Sequence, residues 1–224
     1  MGVRPDALRA VDLPLLESMM LQALARLSVA KKLGSVCFRA SAMLEVASGY
    51  LNEHSLSNAS AAIGLMWKSW ELLGTIVKVG EYLRKLETDF LEAKGIGADV
   101  IELEANLSSV QADFRSAETE PLLNAVSARI GNLSVAVQRA VAEALIEQAT
   151  EMIAAAKGLG INTSRHEIFL QRATEEFLKG NYGPARLFTN YPLSLRSQLA
   201  ERDSGVALGL VLILALLAKK RESK

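Results

Sequence analysis

The stretch "AKGIGADVIELEANLSSVQADF" (residues 93–114) decides the fold, because it recurs without a gap as "AKGLGINTSRHEIFLQRATEEF" (156–177), 63 residues on. Ala93/Ala156, Lys94/Lys157, Gly95/Gly158, Gly97/Gly160, Glu104/Glu167, Leu107/Leu170 and Phe114/Phe177 are identical, and Pro121/Pro184 extends the register. One more step back reaches "AKKLGSVCFRASAMLEVASGYL" (30–51). There Ala30, Lys31, Leu33, Gly34, Arg39, Leu44 and Ala47 match the last copy, and Leu51 replaces Phe177. A fixed period of this length is the mark of stacked helical repeats, each burying its apolar face on its neighbours.

Each part of the stretch has a local physical meaning. The helix before it keeps apolar residues in step across the copies (Leu16/Val79/Ala142, Met20/Leu83/Ile146, Leu27/Phe90/Ile153). Lysine complements the negative end of the helix dipole, and glycine accepts the left-handed conformation that closes the helix. Asp99 with Glu102, and Ser164 with Glu167, have capping-box spacing and predict the next helix start. Pro121 and Pro184 predict a second turn followed by a shorter helix. The sequence therefore predicts an all-α protein: an elongated helical-bundle array of three ~63-residue repeats (about 9–72, 73–135 and 136–198) plus a C-terminal hydrophobic helix.

Composition agrees. Half the residues are hydrophobic but only 5 % are aromatic, and Ala and Leu, both helix formers, dominate. Acidic and basic residues balance at 25 each, so no net field favours nucleic acid, and no nucleic-acid partner is expected. Cys37 is the only cysteine, set in apolar "SVCFRA", and reads as a small buried hydrophobe rather than a reactive thiol. The N-terminal apolar residues recur at helical spacing, and Glu17 and Arg26 interrupt them, which describes an amphipathic helix rather than a targeting segment.

The chemistry of catalysis is thin. Only His54 and His166 occur, too few to build a Cys/His metal site within one chain, and neither lies in a Glu-x-x-His or His-Glu-x-x-His pattern. His166, in the first turn of a helix, is expected to be a solvated surface residue. The "KGIG" and "KGLG" pieces follow helices rather than strands and lack the Gly-Lys-Ser/Thr of a phosphate loop. Trp67 and Trp70 form an i, i+3 ridge that predicts core packing at a helix crossing. "ATEEFLKGNYGPARL" (173–187) has the small and aromatic residues of a tight helix hairpin. No enzyme activity, cofactor or metal is expected.

The chain closes on "DSGVALGLVLILALLAKKRESK" (203–224). From Gly205 to Ala218 there is no polar side chain, and a helix apolar on every side belongs in lipid or wholly inside protein. Fourteen residues span about 21 Å at 1.5 Å each, short of the ~30 Å hydrocarbon core. Lys219, Lys220 and Arg221 can snorkel at the membrane interface and extend that reach. The expectation is a domain at 1–203, a transmembrane anchor helix at 204–219, and a basic tail at 220–224 that the positive-inside rule places in the cytoplasm. Four sequons (Asn58, Asn106, Asn132 and Asn162) among eight asparagines point the same way, toward an extracytoplasmic, glycosylated domain.

These features together resemble archaeal cell-surface proteins built from helical repeats with a C-terminal membrane anchor. The resemblance implies a non-catalytic structural or interaction protein at the cell membrane, held to the lipid bilayer through 205–218. It implies a protein partner, or self-assembly, through the helical array. Two other readings fit the same residues: a tail-anchored, cytosol-facing helical adaptor, and a soluble all-α protein whose last helix is buried.

Overall fold

The computed structural model describes residues 5–52 and 56–200. Among them are the helices α1 (Pro5–Lys32), α2 (Phe38–Asn52), α3 (Leu56–Gly95), α4 (Ile101–Ser116), α5 (Glu120–Gly158), α6 (Ser164–Leu178) and α7 (Tyr182–Leu193), a further helical segment at 195–200, and no strand. The fold is all-α, as the composition predicts. Residues 204–219 and 220–224, with Lys219, Lys220 and Arg221, lie outside the described residues, as does His54.

The recurring stretch marks helix ends. Helices α2, α4 and α6 start at residues 38, 101 and 164, which are 63 apart. The glycines that take positive φ in the preceding turns are Gly34 (92°), Gly97 (79°) and Gly160 (70°), again 63 apart. Each turn closes with the same pair of backbone hydrogen bonds. Gly34, Gly97 and Gly160 donate to the carbonyls of Lys31, Lys94 and Lys157 at 3.0, 3.0 and 2.9 Å, and the next residues donate to Ala30, Ala93 and Ala156. That is a Schellman closure. The alanine at its base has no exposed surface in any of the three turns, which lets another segment approach the helix end closely. Of the two glycines in "KGIG" and "KGLG", only the second takes positive φ; Gly95 and Gly158 are the last helical residues.

Two sequence expectations fail locally. Neither capping box forms as spaced: the N-cap residues of α4 and α6 are Val100 and Thr163, and neither gives a side-chain cap. Asp99 stands one residue too early for the cap and Ser164 is already helical. Instead Asn162 Oδ1 accepts the Ser164 N–H at 3.1 Å, and Thr163 Oγ1 bonds the Glu167 carboxylate. The helix after Pro121 is also not short. Pro121 sits in the first turn of α5, where its missing N–H costs nothing, and α5 runs unbroken from Glu120 to Gly158. Residues 72/73 and 135/136 therefore fall inside α3 and α5.

The chain divides into two compact units, the first comprising residues up to 92 with 100–136 and the second 93–99 with the residues from 137 on. In the first unit Met66, Leu73, Ile76 and Leu86 of α3 are fully buried with Phe114 of α4 and Leu123 of α5. Gly80 lets α3 pack tightly here, since a Cβ at this position would lie 3.0 Å from Leu33 and from the Phe114 ring. In the second unit Ile153, Ala156 and Leu195 form a core against which Ile161, Leu170 and Leu199 pack. Gln148 of α5 donates to the Ile96 carbonyl at 2.6 Å and holds the 96–99 turn.

Candidate functional site

Polar chemistry gathers in two places, one in each unit. In the first, an open groove of about 770 Å³ lies among α2, α3 and the α4–α5 connection. Its cations are Arg39 from α2 with Lys68 and Lys78 from α3; its carboxylates are Glu71, Glu118 and Glu120. Helical spacing explains the α3 contribution: 68, 71, 75 and 78 fall on one face, beside the buried stripe Ser69, Leu73 and Ile76.

Two of the three carboxylates are already engaged. Glu71 accepts the Trp67 indole N–H at 2.8 Å. Glu118 accepts the backbone N–H of Phe38, the first residue of α2, at 2.8 Å. A carboxylate at a helix start satisfies one of its orphan donors and opposes the positive end of its dipole. Arg39 and Lys68 have no ion-pair partner among the described residues, and Lys78 lies 5.9 Å over the Tyr82 ring. The groove can therefore receive an anionic group on its cations. Its lining holds no histidine or cysteine to serve as a base or nucleophile beside Thr75 or Thr119.

In the turn before α2, Cys37 has φ 55° and is buried, as the apolar setting predicts. Its thiol bonds Ser35, and burial pushes its pKa up, so the thiolate is disfavoured. The tryptophan ridge splits. Trp70 is half-buried under the Arg26 guanidinium, which lies 3.3 Å from the ring centroid, whereas Trp67 is 55 % exposed. A spacing of i, i+3 leaves the two rings about 60° apart around the helix, and of the two only Trp70 meets Arg26 of α1.

The second place is an aromatic cluster joining α6 and α7. His166, expected at the surface, is buried with 8 % exposure. Its ring stacks on Tyr191 at 4.6 Å with planes 21° apart. Tyr191 also meets Phe169 at 4.7 Å, and Phe169 meets Phe188 at 6.3 Å. The expectation failed because α7 folds over the start of α6, a contact between residues 25 apart that no local pattern announces. Burial, then the neighbouring Arg165 cation, lowers the His166 pKa. Nδ1 is buried with no hydrogen-bond partner among the described residues.

The four sequons are scattered by the fold. Asn58, Asn106 and Asn132 stand inside α3, α4 and α5, and Asn162 in the turn before α6. Asn106 and Asn132 share a shallow depression of about 250 Å³ with Arg129. Among the described residues no three His, Cys, Asp or Glu side chains converge to hold a metal. No helix among them is long and apolar enough to cross a membrane. No protein-family model, no curated protein and no solved structure matches this chain significantly.

Proposed function

We propose that this chain is a non-catalytic, membrane-anchored interaction protein, with a scaffold of three helical repeats (about 9–72, 73–135 and 136–198) and an anchor at 204–219. The scaffold reading is carried by one observation: the Schellman turns and the helix starts after them recur at 63 residues, with the same positions buried. Leu27, Phe90 and Ile153 are buried in step, and so are Cys37, Val100 and Thr163. Repeats of this kind present side chains on a rigid frame for binding rather than for chemistry. The groove with Arg39, Lys68 and Lys78 is the described surface best furnished for a partner segment bearing carboxylates.

The anchor rests on the apolar run 205–218 and its basic end, and the positive-inside rule then places the scaffold outside the cytoplasm. A second reading, a cytosol-facing tail-anchored adaptor, is favoured by the sequons. Three of the four sit within helices, whereas an acceptor asparagine is normally presented on a surface loop.

Fractionation and proteolysis test both. The full chain should sediment with membranes and resist salt extraction, while a chain ending at residue 204 should stay folded and move to the supernatant. A soluble full chain, or unfolding on that truncation, overturns the anchor. Protease added to intact cells should digest the helical domain; its protection, with unmodified peptides containing Asn58 and Asn132, selects the cytosol-facing adaptor.

A further inference from the structure

We infer that His166 is a pH-operated latch: its neutral ring fastens α6 to α7, and its protonation releases the pair. The inference does not depend on the membrane anchor or on its orientation. Its starting point is the position itself. In the register of the three short helices, His166 corresponds to Ala40, with no exposed surface, and to Leu103. The fold treats this site as an apolar slot, and only the last copy fills it with a titratable ring.

The slot accepts a neutral imidazole and not a charged one. The ring is buried face to face with Tyr191, and through Tyr191 it belongs to the chain of rings Phe169 and Phe188. An imidazolium carries an N–H donor at Nδ1 and a full charge, and a buried donor and a buried charge both need partners. Nδ1 has none.

The charged groups on the surrounding elements do not compensate. On α6 itself Arg165 is a cation and opposes protonation. The Glu167 carboxylate is held by Thr163 Oγ1 and by Lys157 Nζ of the last turn of α5 at 3.2 Å. From α7 the stacking partner is a neutral phenol, and the charged side chain of that helix, Arg186, is another cation, as is Arg196 beyond it.

The sign follows from linkage. The folded pKa of His166 lies below its unfolded value, ordinarily about 6.5. Its contribution is therefore fully present above pH ~6.5 and is lost as pH falls from there toward the folded value. Carboxylates titrate lower, so mild acid acts mainly on the histidines. Release would fall on the α6–α7 pair, which precedes the apolar run at 205–218 in the sequence.

The test is hydrogen exchange on the full chain in detergent micelles at pH 7.5 and 5.5, with rates corrected for intrinsic pH dependence. Opening of residues 164–193 should increase about tenfold or more at the lower pH, while that of 62–93 stays within a factor of about two. His166→Leu, which restores the residue type found at Leu103, should abolish the difference. An equal acid response in that variant overturns the latch. Should the variant not fold, the imidazole proton resonances of the native chain decide alone: a midpoint at or above 6.5 overturns the proposal, and one clearly below it upholds it.

Discussion

The Arg26 guanidinium of α1 lies over the Trp70 ring of α3, 3.3 Å from its centroid, while its Nη1 donates to the Trp70 carbonyl at 3.4 Å. Gly74, one turn along α3, leaves room for it: a Cβ there would stand 3.0 Å from Nη1. The pair joins α1 to α3 through a cation–π contact in a half-buried setting, where such contacts contribute about 0.5–2 kcal/mol. Arg26→Ala and Trp70→Ala should be non-additive by about that amount in urea melts. Gly74→Ala should reduce the coupling without unfolding the chain, because the clash is with the far end of a flexible side chain. Full additivity of the two alanine variants would show that the contact carries no energy.

Two helical glycines should respond in opposite directions to alanine. At Gly131 a Cβ meets nothing within 4 Å, so Gly131→Ala gains helix propensity and stabilises by roughly 0.5–1 kcal/mol. At Gly80 the same Cβ would press on the Leu33 Cβ, which cannot swing away, and on Phe114. Overpacking of about 1–3 kcal/mol offsets the propensity gain there, and Gly80→Ala should lower the urea midpoint. Equal stabilisation at both positions would contradict the packing of α3 on Leu33.

The paired glycines of "KGLG" separate conformation from composition. Gly160, at φ 70°, should lose about 1–2 kcal/mol on substitution by alanine, the cost of a left-handed L-residue. Gly158, helical and with open space around it, should lose nothing or gain slightly. Thermal melts of the two variants check this, and Gly97→Ala against Gly95→Ala repeats it in the middle copy.

Glu118 is the cap of α2 although 80 residues separate it from Phe38. Glu118→Ala should destabilise by about 1 kcal/mol, as loss of a side-chain cap ordinarily does. Glu118→Gln keeps an acceptor but not the charge and should fall between the two. The Phe38 amide should exchange faster in both variants; unchanged exchange would remove Glu118 from this role.

Below the histidine range a pair of carboxylates, Glu167 and Glu176, contributes to the behaviour of the α6 ends. Glu176 accepts from Lys179 Nζ and Asn181 Nδ2, both at 2.7 Å, and these bonds hold its pKa below the usual value. Hydrogen bonds from Thr163 and Lys157 do the same for Glu167. Their stabilisation is present above the ordinary carboxylate pKa and lost as pH falls through the depressed one. Glu176→Gln should therefore flatten the acid limb of stability below about pH 4.3 and leave the histidine region unchanged.

The sequence by itself determined the all-α class and the three glycine turns, but not that α3 and α5 run unbroken through 72/73 and 135/136. Helix ends depend on residues a few positions apart, so lysine, glycine and a 63-residue period sufficed to place the turns at Gly34, Gly97 and Gly160. Buried positions such as Leu16, Leu27 and Phe90 followed from the same periodicity. The exact starts of α4 and α6 were less legible, because one residue decides the cap position in each turn: Val100 rather than Asp99, and Thr163 rather than Ser164. Tertiary structure decided everything that joins distant residues. Trp67 and Trp70 parted because α1 approaches only one side of α3. Glu118 became a cap, and His166 went from an expected surface residue to a buried ring, because α7 brings Tyr191 over it. These outcomes rest on contacts across 25 to 80 residues of chain, and no local preference encodes which of several apolar faces a helix will meet.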